Sequence, residues 1–424
     1  MKHISHFILS GLVLILAGQS FACTTFLIAG KCTADGKPIL YKNRDTKEMD
    51  NALALFNDGK YKYLAVVNGD NKSSKHAVWG GYNEAGFAII NSAAYNNNIG
   101  DSIKDTGMDG HLMKLALMNC CSLNDFECML DTLKKPLGVD SNFGVIDAGG
   151  GAAYYETGNY KYVKYDANDP AVAPNGILIR TNHSMSADLS KGFGFNRFDN
   201  ATRILNTARE KKSLTPQYLL KAFPRSLYHP RTKTDLSVNL PGAKDQQEFR
   251  FFMDFIPRFE TASSFMIVGA KDRDHTQDAM MWTILGFPLT SVAVPAWLSA
   301  GELPKSVKMN AGFKAPICDA ALKFKDECFP IKIDKGTYYI NLSAVANRAG
   351  SGYMQLLGPI EDKIIEKANS LITDLEKGKK SDSDIPAFYS WIDDYLGRTY
   401  REQFNMELFN NETTGKPTDE ERRN

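Results

Sequence analysis

A cysteine heading a strand pattern, directly behind an apolar leader, constrains this chain more than any other feature. Cys23-Thr-Thr-Phe-Leu-Ile-Ala29 and Pro38-Ile-Leu-Tyr41 flank an Ala34-Asp35-Gly36 turn, and apolar β-prone runs on either side of such a turn read as a hairpin. Ahead of it, Lys2 precedes the apolar run Phe7 to Ala17, and Ser20 and Ala22 put small residues where a signal peptidase cuts. Residues 1–22 are expected to be removed as a signal peptide, so that the exported chain, periplasmic or secreted, begins on a strand at Cys23. A cut after Ser20 would instead leave Phe21-Ala22 ahead of the cysteine. A cysteine just behind an export signal also serves as a lipid-attachment site, but Ser20-Phe21-Ala22 lacks the leucine-then-small pattern of such sites.

No later apolar stretch reaches the roughly 18–20 residues that span a membrane; the nearest, Ala279 to Leu298, is broken by Gly286, Pro288 and Pro295. The formal net charge of +1 builds no basic field of the kind nucleic acid or an anionic membrane requires, so neither is an expected partner. Seven cysteines are an odd count for an oxidising compartment, and an odd thiol there is reactive or paired between chains. Setting Cys23 aside leaves six, which allow 15 connectivities; Cys318 and Cys328 are the first expectation for a local bridge. There is no CxxC, and only His76, His111, His183, His229 and His275 follow the leader, so neither a metal site nor a cofactor is expected.

Along the chain, strand patterns alternate with two helical patches. Val78 to Tyr82 and Phe87 to Ile90 enclose Asn83-Glu84-Ala85-Gly86, a second hairpin. Helical spacing follows at Leu112, Leu115, Ala116 and Met118, then at Phe126, Met129, Leu130 and Leu133. Strands return at 143–146, 152–156, 160–165 and 176–180, with Gly149-Gly150-Gly151 as a turn; the Lys-Ser/Thr that would make it a phosphate loop is absent. Helical spacing at Phe198, Ala201, Leu205 and Ala208 precedes strands at 264–268 and 280–285, and Ile360, Ile364, Ala368, Leu371 and Leu375 form a late apolar helix stripe. This order predicts an α+β domain in which helices cover a mostly antiparallel sheet. The loops 57–75, 96–109 and 226–249 are expected to shape a substrate site.

A cysteine at a new N-terminus carries a nucleophile and a base on one residue. The thiol attacks, and the free α-amine, with a reference pKa of ~7.7–8.0, takes its proton. No histidine is needed. One extra residue ahead of Cys23 would turn that amine into an amide and remove the base.

These residues and several later motifs resemble the N-terminal-nucleophile (Ntn) amide hydrolases, the linear amide C–N hydrolase group that holds penicillin V acylase, bile salt (choloylglycine) hydrolase, acid ceramidase and the penicillin-type acyltransferases. The matching elements are Cys23-Thr24-Thr25-Phe26, Lys42-Asn43-Arg44-Asp45, Gly81-Tyr82-Asn83-Glu84-Ala85-Gly86-Phe87 with Asn91-Ser92, Thr181-Asn182, and Asn196-Arg197-Phe198, in that order from Cys23 to about Leu298. The resemblance implies a four-layer αββα sandwich of two mostly antiparallel sheets. It also implies a Cys23 nucleophile, Asn182 as the main oxyanion donor, Asn91 as a second donor to oxyanion or substrate, and Asn83 at the substrate. Asp45 would orient the Cys23 amine, and Arg197 would keep the thiol environment positive. Three residues before the aspartate, bile salt and penicillin V enzymes carry arginine where this chain has Lys42, while Arg44, by strand alternation, falls on the face opposite Asp45. The role passes to Lys42, and the departure points away from bile salts toward the acyltransferase-like branch.

The resulting expectation is an exported amidohydrolase for a small-molecule N-acyl amide; its oligomeric state is left open by the sequence, although members of the family it resembles are often homo-oligomers. Residues 23–300 would be catalytic, 301–410 an extension packed on that domain, and 411–424 a disordered tail. The alternatives are an acyltransferase, a Cys-type dipeptidase, and an inactive lipid-anchored binding protein that kept the fold. His183, beside Asn182, is expected to be a satisfied polar residue rather than a base.

Overall fold

The structure, a computed structural model, describes residues 22–70, 76–103, 107–310 and 312–409. Of the expected leader over 1–22 all but Ala22, and the whole of the expected tail over 411–424, lie outside the described residues. In chain order the first half holds β1 (Cys23–Ile28), β2 (Ile39–Asp45), β3 (Asn51–Phe56), β4 (Tyr63–Asn68), β5 (Gly80–Asn83), β6 (Ala88–Ala93), α1 (Asp109–Asn119), α2 (Leu123–Thr132), β7 (Ser141–Ile146), β8 (Ala152–Thr157), β9 (Tyr162–Asp166) and β10 (Ile177–Arg180). The second half holds α3 (Phe195–Glu210), α4 (Pro216–Ala222), β11 (Tyr228–His229), β12 (Thr234–Asp235), β13 (Phe249–Phe251), β14 (Thr261–Val268), β15 (Met280–Leu285), β16 (Val294–Trp297), α5 (Pro316–Cys328), β17 (Tyr339–Asn341), α6 (Leu342–Val345), α7 (Tyr353–Glu376) and α8 (Ile385–Phe404).

Two large antiparallel sheets result, one ordered β10-β1-β2-β14-β15-β16 and the other β3 to β9 in sequence. They pack face to face through β1 and β2 against β6 and β7, with α1 over β5 and β6 on one outer face. On the other outer face α3 and α4 lie over β1, β10 and β14, while α5 and α7 cover β15 and β16. This is the four-layer αββα arrangement. Both sheets can be apolar on both faces because helices cover the outer ones, which is why β1, β2, β4, β7, β8, β14 and β15 are buried along their whole length. One apolar cluster runs from Phe26 to Leu408, so the segment after residue 300 shares the core of the sheets.

The turns obey local chemistry. Asn83 and Gly86 close the β5–β6 hairpin, Gly86 taking φ +79°. Asp147 accepts from the amides of Gly149 (2.8 Å), Gly151 (3.0 Å) and Leu123 (2.8 Å), so the glycine triplet is a carboxylate-filled turn. Two expectations are corrected. The stretch 57–75 is not all loop, because it contains the wholly buried β4. Cys318 and Cys328 do not bridge: both lie on α5, and ten residues at 1.5 Å rise separate them by about 15 Å, beyond the ~7 Å a disulfide allows. All seven cysteines are unpaired.

Candidate active site

The site begins with the register of the first hairpin. Cys23 lies directly opposite Arg44 and Thr25 opposite Lys42. Directly opposed residues share a face, so Cys23, Lys42 and Arg44 all look toward the second sheet, whereas Thr24, Asn43 and Asp45 look toward the helices. Cys23 is 7% exposed, and Lys42, Arg44 and Asp45 are buried as well.

On the inter-sheet face, Lys42 Nζ donates to the carbonyl of Trp79 (2.9 Å) and to Asn91 Oδ1 (2.5 Å). Arg44 donates to Asn51 Oδ1 (2.8 Å) and Asn68 Oδ1 (2.9 Å), and its guanidinium lies 4.3 Å over the Trp79 ring. Trp79 therefore fastens both cations, one by its carbonyl and one by its ring. Burial pushes the Lys42 ammonium down to about 8 and the Arg44 guanidinium down to about 9, and in both the negative charge available at Cys23 is the next influence, acting upward. Strand alternation places Arg44 on the face opposite Asp45, and the register shows that this is the face of the cysteine itself.

On the helix face, Asp45 accepts three hydrogen bonds, two on Oδ1 and one on Oδ2. Its Oδ2 takes Arg258 Nε (2.9 Å), and its Oδ1 takes Thr261 Oγ1 (2.7 Å) and Asn43 Nδ2 (2.9 Å). Burial raises the Asp45 carboxyl above its ordinary value, opposed by Arg258 and Arg197. Arg197 reaches Cys23 from α3: Nη1 donates to the Cys23 carbonyl (2.7 Å) and Thr24 Oγ1 (2.9 Å), and Nη2 to Asn182 Oδ1 (2.6 Å). Burial lowers this guanidinium to about 10. Gly194 makes room for it, since that residue has φ +81° and a Cβ there would lie 2.5 Å from Arg197 Nη2.

Asn182 sits just past β10 in a pinned loop. Glu156 pairs with Arg180 (2.7 Å) and also accepts from the amides of Met185 (2.8 Å) and Ser186 (2.7 Å), while Asn96 and Ser184 exchange side-chain and main-chain hydrogen bonds. Because arginine only donates, Asn182 Oδ1 must face Arg197, and its Nδ2 is the donor end, which reaches the Ala93 carbonyl (2.8 Å). Asn91 is oriented the other way. Its Nδ2 donates to Asp109 Oδ2 (2.8 Å) and Ser141 Oγ (3.0 Å), so toward Lys42 it presents an acceptor, and as placed it is not an oxyanion donor.

Asn83 is not brought to this cluster. Its side chain is fully buried, with Nδ2 on the carbonyls of Leu117 and Cys120 and Oδ1 on the amides of Ala85 and Phe87; it holds the hairpin turn to the end of α1. His183 is buried and stacked 4.3 Å from Phe195, with Nδ1 on Thr181 Oγ1 and the Phe193 carbonyl. Burial lowers its pKa.

Next to Cys23, Ala22 is 3% exposed and lines a cavity of about 290 Å³ with Arg197, Arg231, Asp254 and Arg258. Ala22, which is bonded to the Cys23 nitrogen, thus lines the same cavity as Arg258, the partner of Asp45, while the Cys23 side chain shares the face of Lys42 and Arg44. Among the described residues no group of His, Cys, Asp and Glu is arranged to hold a metal ion, and no helix is long and apolar enough to cross a membrane.

No family model and no curated protein matches the chain. Among solved structures it is similar to penicillin V acylase from Agrobacterium tumefaciens, at 14% identity and a TM-score of 0.38 over 66% of this chain and 87% of that one. It is also similar to the Caenorhabditis elegans ortholog of N-acylethanolamine-hydrolyzing acid amidase, at 14% identity and a TM-score of 0.38 over 61% of this chain and 99% of that one. A third is conjugated bile acid hydrolase from Clostridium perfringens, at 14% identity and a TM-score of 0.29 over 43% of this chain and 57% of that one.

Proposed function

We propose that the chain is an exported amidohydrolase whose nucleophile is Cys23, made N-terminal by removal of residues 1–22, and which cleaves linear N-acyl amides through a thioester. The observation that carries this reading is the placement of Cys23. Its side chain faces two buried cations, Lys42 and Arg44, and its main chain is gripped by Arg197 beside the Asp45–Arg258 pair.

With the leader gone, the Cys23 amine would occupy the place of the Ala22–Cys23 peptide nitrogen, near Asp45. It takes the thiol proton, and Sγ adds to the amide carbonyl. The oxyanion needs a fixed donor, and losing one typically costs about 2.7–4 kcal/mol of transition-state stabilisation; Asn182 Nδ2, its acceptor end tied to Arg197, is that donor. Collapse breaks the C–N bond as the ammonium returns its proton to the leaving nitrogen. Water, deprotonated by the same amine, then opens the thioester and releases the acid. The cations facing Sγ stabilise negative charge on sulfur in both steps.

The test is hydrolysis of a panel of N-acyl amides by the exported protein and by Cys23→Ala. The wild-type protein is expected to release free acid and amine from some members of the panel, with a hydroxylamine-trappable acyl group on Cys23. Undiminished hydrolysis by Cys23→Ala would sink the proposal.

A further inference from the structure

Lys42 is a buried cation whose hydrogen bonds depend on which way one amide is turned. Its Nζ has two acceptors, the Trp79 carbonyl and Asn91 Oδ1. A main-chain carbonyl cannot rotate away, but a side-chain amide can flip, and a flipped Asn91 would set its NH2 against the lysine, donor against donor. What prevents this lies one step further out. Asn91 Nδ2 donates to Asp109 Oδ2 (2.8 Å) and to Ser141 Oγ (3.0 Å), and Ser141 Oγ itself donates to Asp109 Oδ2 (2.8 Å). A carboxylate accepts only and an ammonium donates only, so the amide between them has a single satisfied orientation.

We infer that Asp109 is a positioning residue that acts through Asn91 to hold Lys42 charged and in place beside the nucleophile. This rests on Cys23 being the reactive thiol proposed above. Asp109 is suited to the task. It is 7% exposed and begins α1, the helix packed on β5 and β6, so the carboxylate that turns Asn91 is delivered by a rigid element lying directly over the strand that carries it. The charged groups around Lys42 are Cys23 on β1, Arg44 and Asp45 on β2, and Asp109 on α1; Arg197 and Arg258 lie beyond Asp45. Of the two carboxylates, Asp45 is committed to Arg258 and faces the helices, which leaves Asp109 as the one linked to Lys42.

Because the readout is the thiol itself, the test needs no substrate. The processed protein is reacted with iodoacetamide across pH 6 to 10, and Cys23 alkylation is followed by peptide mass mapping. Asp109→Ala should slow Cys23 alkylation near pH 7 about tenfold and move its pH profile upward by about one unit, one unit being a tenfold change. Asp109→Asn, which still offers an oxygen to Asn91 and Ser141, should stay within about threefold of wild type. Asn91→Ala should match Asp109→Ala, and the double variant should be no slower than either, since all cut one linkage. An unchanged profile in Asp109→Ala, or effects that multiply in the double variant, would overturn the inference. Should Asp109→Ala fail to fold, an unchanged profile in Asn91→Ala would overturn it equally. A protein that alkylates as described but hydrolyses no amide would contradict the proposed function and leave this inference standing.

Discussion

Arg197 Nη2 lies 2.6 Å from Asn182 Oδ1 while Nη1 of the same guanidinium lies 2.7 Å from the Cys23 carbonyl. One planar group thus ties the strand of Cys23 to the loop that carries Asn182, the proposed oxyanion donor, and it fixes the orientation of that amide. Lysine cannot reproduce the fork. Arg197→Lys is expected to lower kcat about 100-fold with a smaller change in KM, because the donor is lost in the transition state more than in the ground state. Steady-state kinetics on any amide the wild-type protein cleaves would check this.

Asp45 and Arg258 form a buried pair at 2.9 Å. Removing one partner strands the other, at a cost of about 3–5 kcal/mol, whereas removing both leaves no orphan charge. Urea unfolding should show Asp45→Asn and Arg258→Met each strongly destabilised, and the Asp45→Asn/Arg258→Met double variant more stable than the sum of the two losses allows. All three should be inactive, since the amine of Cys23 loses its orienting carboxylate or that carboxylate loses its anchor.

Lys42 gives stability a pH dependence whose sign is fixed. Burial, opposed first by the charge of Cys23, lowers its folded pKa to about 8 from 10.5. Between those values the unfolded chain holds a proton that the folded chain has released, so this residue's contribution rises with pH across that window and is least favourable below it. The integrated effect is roughly 3 kcal/mol. The stability of wild type minus that of Lys42→Met, from urea unfolding at a series of pH values, should increase between about pH 8 and 10; a flat difference would show that the ammonium is not desolvated.

Asn83 and Asn182 should part company. The Asn83 side chain makes four hydrogen bonds, all to main chain, and leaving such buried groups unsatisfied costs about 1–3 kcal/mol each. Asn83→Ala is expected to lower the melting temperature markedly while the folded fraction keeps its kcat; Asn182→Ala should do the reverse. A loss of kcat in folded Asn83→Ala would put this residue at the substrate after all.

The first hairpin, the Asn83–Gly86 turn, the helices near 112 and 126 and the strands at 143–146, 152–156, 264–268 and 280–285 were legible because each is a local pattern of alternation or turn chemistry. That Arg44 lies on the face opposite Asp45 was legible too; that Cys23 shares this face was not. A turn centred on Asp35 would pair Cys23 with Lys47, but the helical turn at Gly30–Cys32 shifts the centre to the Thr33–Ala34 bond, and the observed register pairs Cys23 with Arg44. Arg258 and Thr261 carry no motif. They reach Asp45 through β2–β14 pairing across more than 200 residues, and an irregularity between Thr261 and Ser263 turns Thr261 onto the carboxylate. The orientations of Asn91 and Asn182 follow from Asp109 and Arg197, partners whose contacts are tertiary. The pair Cys318 and Cys328 misled because ten residues look close in sequence and span a helix in space.

The most direct measurement is N-terminal sequencing and intact mass of the exported protein, joined to amide hydrolysis by that protein and by a folded form that retains Ala22 ahead of Cys23. The expected result is a chain that begins at unmodified Cys23 and cleaves amides, with activity lost in the Ala22-extended form, whose α-nitrogen at Cys23 is an amide and no base. An Ala22-extended protein that hydrolyses amides as fast as the Cys23 form, or an active exported protein beginning at Phe21 or lipid-modified at Cys23, would contradict it.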